Sequence, residues 1–260
     1  MINTLVSGID TTPSSLSFPD EETRLQPEMT FETFVAGRSN WLALMAAKQF
    51  VQVTGEHCNP LFVVGDVGVG KTHLLHAIGN AMLAERLDAK IRYANSEDFF
   101  SDVIRAYRAK SFEAFKHYYQ SLDLLVLDDI QYLKDKQRTQ EELYHVVNAL
   151  YRGKKQVIIS GDSRPSNLLG LDERLTSRLE AGLTVNIEPA TLEMRTTILK
   201  RLANSQGANL SDAGVDFVAK ALPFDVRKLE GAVNRLALEE RLRRRKVKLA
   251  LARSVIAELH

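Results

Sequence analysis

Gly65-Asp66-Val67-Gly68-Val69-Gly70-Lys71-Thr72 is the stretch on which the fold turns. It matches the spacing G-x-x-x-x-G-K-[ST], in which glycines let the backbone wrap closely around phosphates and the lysine supplies a cation. The flanks fit as well. The loop follows a short apolar run, Leu61–Val64, and opens a helical pattern, Lys71–Glu85. A strand, a glycine-rich loop and a helix start together aim backbone amides and the positive end of a helix at an anion. Lys71 is then expected on the β and γ phosphates of ATP, with the Thr72 hydroxyl ligating Mg²⁺. The candidate nucleotide-binding positions here are Gly65, Gly68, Val69, Gly70, Lys71, Thr72 and His73.

Downstream, Leu124-Leu125-Val126-Leu127 runs into Asp128-Asp129. An apolar strand ending in two carboxylates is the second half of such a site. Asp128 is expected in the Mg²⁺ shell, and Asp129 at the attacking water, orienting or deprotonating it. Asp162 follows a further apolar run, Val157–Ser160, and a polar residue there would lie beside the γ phosphate at the carboxyl ends of the strands. Gly161-Asp162-Ser163 is also good turn chemistry, so a purely local role for Asp162 stays open.

The pattern around these motifs alternates. Strand-like runs fall at Leu61–Val64, Ile91–Asn95, Leu124–Leu127, Val157–Ser160 and Leu183–Ile187, with helical stretches between them. Largely apolar runs suit parallel strands covered on both faces, and the alternation predicts an α/β sheet sandwiched by helices. Thr139 with Glu142 predicts a capping box that starts a helix over Gln140–Tyr151. Asp172 is a cap for Glu173–Ala181. Pro189 marks a break, after which the pattern is helical only: Leu192–Ser205, Asp212–Leu222, Asp225–Arg244 and Leu249–Leu259. Asp225 is the expected cap of the third of these. Three parts result: a flexible leader over 1–28, rich in Ser, Thr, Pro and acid; a nucleotide-binding core over 29–187; and a small helical lid over 188–260. Leu5-Val6 and Leu16-Ser17-Phe18 in the leader could instead dock on a partner.

Composition sets outer limits. The 260 residues are 45% hydrophobic and 26% charged, enough for a sizeable core. A net charge of +1 leaves any basic surface to local clusters. The single cysteine, Cys58, excludes an intramolecular disulfide and fits a reducing cytoplasm. No apolar run reaches the roughly 18 residues that a membrane span needs, and the start lacks the basic-then-apolar signature of a secretory signal.

Several strings together resemble one family. Phe31-Glu32-Thr33-Phe34-Val35-Ala36-Gly37-Arg38-Ser39-Asn40 looks like the opening segment of the bacterial replication initiators of the DnaA type. So do Asn59-Pro60-Leu61-Phe62 and Thr72-His73-Leu74-Leu75-His76-Ala77-Ile78-Gly79-Asn80. Further matches are Asp128–Leu133, Arg138–Glu142, Asp172–Leu179 and Val226–Ala232. The resemblance covers about Met29 to Leu259 and implies an AAA+ P-loop NTPase fold. It places Val35 and Asn40 near the adenine. It makes Arg178 an arginine finger reaching the ATP of a neighbouring subunit, Arg174 a second interface arginine and Arg227 a lid arginine that reads ATP within its own subunit. A guanidinium can neutralise charge developing on a γ phosphate. An arginine given to the next subunit implies head-to-tail self-assembly. The expected function is ATP-dependent oligomerisation in DNA replication initiation, with slow hydrolysis as an off-switch.

The resemblance also implies single-stranded DNA as a partner, along Asn95–Arg108, with Phe100, and at Lys134, Lys136 and Arg138. Cations can track a backbone and aromatics can stack on bases. Phe99 or Phe100 could equally be core, and the lysines a solvated loop. The basic run Glu239–Lys248 suits phosphate contact or a helix end. Nothing corresponds to the duplex-reading and helicase-docking domains of full initiators, so the expectation is an ATPase-only relative or an excised module. Two other readings stand beside the first: a regulator resembling Hda that docks on an initiator, and a helicase loader or transposition ATPase of the DnaC/IstB type.

Overall fold

The computed structural model describes residues 23–52, 58–222, 225–243 and 249–259. Five parallel strands form one sheet: β1 (Leu61–Val64), β2 (Ile91–Asn95), β3 (Leu124–Asp128), β4 (Gln156–Gly161) and β5 (Leu183–Asn186), in the order β2-β3-β4-β1-β5. All agree with the sequence-based expectation to within a residue at either end. Every residue of β1, β3 and β4, the three central strands, is buried. The pleat sends alternate side chains to opposite faces. Leu125, Leu127, Val157 and Ile159 enter one core layer, and Leu124, Val126 and Ile158 enter the other.

Helices cover both faces. α1 (Trp41–Gln52) and α2 (Lys71–Glu85) close one side, while α3 (Ser96–Arg108), α4 (Phe112–Gln120), α5 (Gln137–Arg152) and α6 (Glu173–Glu180) pack on the other. Asp172 caps α6 as expected, its Oδ1 accepting from the backbone N–H of Arg174 at 2.9 Å and of Leu175 at 3.3 Å. The capping box at Thr139 does not form. α5 begins earlier, with Lys136 at its N-cap, because the polar side chains of its first turns have tertiary partners instead. Gln140 Nε2 donates to Leu133 O and Gly170 O, and Gln140 Oε1 accepts from Asp172 N–H. Glu142 accepts from the Tyr107 hydroxyl at 2.8 Å.

Residues 23–28, which the sequence reading placed in the leader, dock on the core. Tyr93 N–H donates to Thr23 O at 2.9 Å, Asn80 Nδ2 donates to Gln26 O at 2.8 Å, and Leu25 packs over Gly79. The apolar pairs near residues 5 and 16 lie outside the described residues.

The C-terminal helices are α7 (Leu192–Ser205), α8 (Asp212–Ala221), α9 (Val226–Arg243) and α10 (Leu249–Leu259). They bury a core of their own, with Leu199, Val218, Leu229, Leu236 and Val255 among its members. Thr191 and Ser211 cap α7 and α8 through their hydroxyls. Asp225 Oδ1 accepts from Arg227 N–H at 2.9 Å at the start of α9. Half of the basic run 239–248, residues 244–248, falls outside the described residues; in the described half, Arg241 donates to Gln206 O. Among the described residues no helix is long and apolar enough to cross a membrane.

Candidate active site

The loop between β1 and α2 rises at the carboxyl edge of the sheet. Gly68 and Gly70 adopt positive φ, 76° and 104°, where a side chain would strain the backbone. A Cβ on Gly65 would come within 2.6 Å of Ile187 O, so the loop lies tight against the strand end. Val69 turns its side chain into the core, leaving only its backbone for a ligand. Gly70 caps α2 without a side chain, so the first amides of the helix have no side-chain acceptor at the cap. Lys71 is buried, and its ammonium donates to Gly65 O at 2.7 Å and Asp66 O at 3.0 Å. Burial pulls its pKa below the ordinary lysine value, against the opposing pull of Asp129, Asp128 and Asp162.

Asp128 is the hub. Its Oδ2 accepts from Thr72 Oγ1 at 2.7 Å and from the Tyr93 hydroxyl at 3.0 Å, and its Oδ1 accepts from Ser160 Oγ. The Ser160 hydroxyl in turn accepts from Asp129 N–H at 2.9 Å. Asp129 sits at φ 59°, a left-handed conformation that turns the chain away from the strand, and its Oδ1 accepts from Gln131 Nε2 at 2.9 Å. Ser96 Oγ donates to the Asp128 carbonyl.

Sequence reading missed Ser160, Tyr93 and Ser96 as site residues. The sheet order explains Ser160: β4 lies between β3 and β1, and the register pairing Leu127 with Ile159 brings Ser160 beside Asp128. A small polar residue ending an apolar strand is the one signal the sequence carried.

Asp162 is exposed just past β4, and its charge acts on Lys71. So does that of Arg227, which the lid delivers: Val226 N–H donates to Gly68 O at 2.9 Å. Asn40 is buried, and both ends of its amide serve the chain around it. Its Oδ1 accepts from Gly37 N–H and its Nδ2 donates to Val35 O. It therefore shapes the Val35–Gly37 turn. His73 faces the same segment, with Nε2 donating to Thr30 O at 3.0 Å and its ring edge-on to Phe34. Met194 packs against Gly37, and Arg201 donates to Glu32 O and Thr33 O, so lid and opening segment are joined.

Arg174 and Arg178 stand on α6. Arg174 pairs with Asp172 and lies over Tyr144. Arg178 lies 3.6 Å over the Tyr151 ring, and its Nε is buried without a hydrogen-bond partner. None of these partners belongs to the phosphate site.

Phe99 is core, and Phe100 is partly exposed. Lys136 Nζ rests 4.5 Å over the Phe100 ring. Beside it α3 has a surface depression of about 500 Å³, lined by Phe100, Ser101, Ile104, Arg105, Arg108 and Ala109. Lys134 and Arg138 are exposed at either side of Lys136.

The donor set fits a nucleotide with a hard divalent cation. Thr72 and Asp128 offer oxygens within one hydrogen bond of each other. Among the described residues no group of three or more His, Cys, Asp and Glu side chains could hold a metal alone. Mg²⁺ suits such a site, since it usually takes one or two protein oxygens and completes its shell with phosphate and water.

A parallel sheet carrying this loop after β1, an acidic pair after β3 and a helical lid over the loop defines an AAA+ P-loop nucleoside triphosphatase. The family described as the bacterial DnaA ATPase domain matches residues 25–186. The chain is 48% identical over 248 residues to the chromosomal replication initiator protein DnaA of Aromatoleum aromaticum, covering 95% of this chain and 51% of that protein. Domain III of the replication initiation protein DnaA from Thermotoga maritima superposes with a TM-score of 0.87 at 34% identity, over 91% of this chain and 98% of that one. A replication initiator DnaA bound to AMPPCP and single-stranded DNA gives a TM-score of 0.75 at 34% identity, over 85% of this chain and 70% of that one. The chain belongs to the DnaA ATPase-domain family. It spans about half the length of the curated relatives it matches.

Proposed function

We propose that this chain is an ATP-dependent assembly module acting in replication initiation in the cytoplasm: it binds ATP with Mg²⁺, associates head to tail with further copies and engages single-stranded DNA. The observation that carries this is the joining of lid to loop. Val226 N–H rests on Gly68 O and places Arg227 where its charge acts on Lys71, so the lid can register what the loop holds. A replication initiator DnaA solved with AMPPCP and single-stranded DNA supports the same reading.

In this reading the loop amides and Lys71 bind the triphosphate, and Lys71 exchanges its carbonyl partners for phosphate oxygens. Thr72 would hold Mg²⁺ directly and Asp128 would orient that hydroxyl; the cation supplies charge neutralisation at the β and γ phosphates. Asp129 holds and activates the attacking water, with Asp162 at the γ side. Hydrolysis is slow and ends the assembled state. Arg178, and Arg174 beside it, act across the subunit boundary, since neither has a partner from its own phosphate site. Lys136, Arg138 and Phe100 form the single-strand surface, a cation stacked on an aromatic next to two further arginines. In domain terms, the core extends from about residue 23 to 187 and the lid from 188 onward.

Sedimentation of wild type and Arg178→Ala tests this, with ATP, ADP or no nucleotide, each with and without a single-stranded oligonucleotide. Wild type is expected to assemble only with ATP and further with the oligonucleotide, and the variant to remain unassembled. A wild type that stays monomeric throughout would instead favour a regulator that acts only with an initiator as partner.

A further inference from the structure

Tyr93 has no role in the site so far, yet its hydroxyl touches the carboxylate at its centre. Asp128 Oδ2 receives two donors, Thr72 Oγ1 at 2.7 Å and the Tyr93 hydroxyl at 3.0 Å, while Oδ1 receives Ser160. With its proton given to Asp128, the Thr72 hydroxyl turns its lone pairs away from the carboxylate, the direction in which it can hold a cation. That orientation is only as fixed as the carboxylate. Ser160 pins one oxygen and Tyr93 pins the other.

Tyr93 is itself aimed from behind. Its ring stacks on His76, with centroids 4.1 Å apart and planes 29° apart. His76 is fully buried, and its Nδ1 accepts from Gln26 N–H at 3.3 Å. The Tyr93 backbone N–H is tied to Thr23 O. The docked segment 23–28 therefore braces the ring whose hydroxyl holds Asp128.

We propose that Tyr93 is a positioning residue for the Mg²⁺ site: its hydroxyl, braced by His76 and the docked segment, fixes Asp128 so that Thr72 presents its oxygen to the cation. The proposal rests on the nucleotide reading above and adds to it a residue on the second strand.

The test measures affinity of the 260-residue chain for a fluorescently labelled ADP, once in Mg²⁺ and once in EDTA, for wild type and Tyr93→Phe. The phenylalanine keeps the stack and removes one oxygen. Affinity in EDTA is expected to be unchanged, because loop amides and Lys71 do not depend on the hydroxyl. The gain that Mg²⁺ brings is expected to shrink roughly tenfold, the scale of one hydrogen bond to a charged group. An equal Mg²⁺ gain in both proteins overturns the proposal. So does an equal loss in both conditions, which would make the hydroxyl a support of the fold alone. If wild type binds no nucleotide in either condition, the nucleotide reading itself fails. Should Tyr93→Phe not fold, Tyr93→Met, which keeps the bulk and lacks the oxygen, carries the same comparison.

Discussion

Gly68→Ala tests the joint between loop and lid. Gly68 has φ 76°, a left-handed conformation that costs an alanine about 1–2 kcal/mol. The new methyl would also stand 1.9 Å from Asp225 Oδ1, 2.5 Å from its Cγ and 3.1 Å from its Cα. The side chain can swing aside, but it then gives up its bond to Arg227 N–H, the cap of α9, at a cost of about 1 kcal/mol. The Cα cannot swing, so the start of α9 must back away and the Val226 N–H to Gly68 O bond lengthens from 2.9 Å. The sum is about 2–3 kcal/mol, or a melting temperature lower by roughly 5–10 °C at this chain length. Arg227 withdraws from the loop with the helix. The assay is thermal unfolding without nucleotide, followed by affinities for ATP and ADP. ATP is expected to lose more affinity than ADP if Arg227 acts, as proposed, as the lid arginine that reads ATP. Adding Asp225→Ala should recover none of the backbone strain and lose no further stability, since the cap is already broken. A variant that melts with wild type and keeps its preference between the two nucleotides would refute the joint.

Other outcomes follow from particular contacts. Phe100→Ala is expected to weaken binding of a single-stranded oligonucleotide by about 1–3 kcal/mol, the worth of one stacked base; Lys136→Ala should lower the slope of log affinity against log salt by about 0.7, as one lost phosphate contact does, both read by fluorescence anisotropy. Asp102→Ala leaves the fully buried Arg92 without the carboxylate 3.4 Å away and the Tyr119 hydroxyl without its acceptor; breaking such a pair costs about 3–5 kcal/mol, measurable by urea unfolding. Burial holds His73 and His76 below the ordinary imidazole value of 6.5. The folded chain then binds fewer protons than the unfolded chain in that window, so stability is full above 6.5 and is lost as pH falls through it. Urea midpoints at pH 7.5 and pH 5.5, both chosen to bracket that value, should show the drop, and His76→Phe should reduce it.

Much of this was legible locally. The run Gly65–Thr72 between an apolar strand and a helix fixed the phosphate loop, because loop chemistry depends on neighbours in sequence. Asp172 announced α6 for the same reason: a cap is satisfied within its own first turn. The β-strands were legible to within a residue because central strands buried on both faces read as continuous apolar runs. Thr139 and Glu142 failed as a capping box: α5 starts earlier, and Glu142 takes the Tyr107 hydroxyl while Gln140 bonds Leu133, Gly170 and Asp172.

The sequence by itself determined the alternation of strands and helices, the phosphate loop, the acidic pair and the helical character of the lid, all properties of short stretches. Only the tertiary structure decided what stands next to what. Strand order placed Ser160 between the loop and the acids, the docking of residues 23–28 braced Tyr93 against His76, and the approach of α9 to Gly68 gave Arg227 its neighbour. These contacts join residues from 17 to more than 150 positions apart. Such pairings are set by how whole layers bury their apolar faces, which no local pattern encodes.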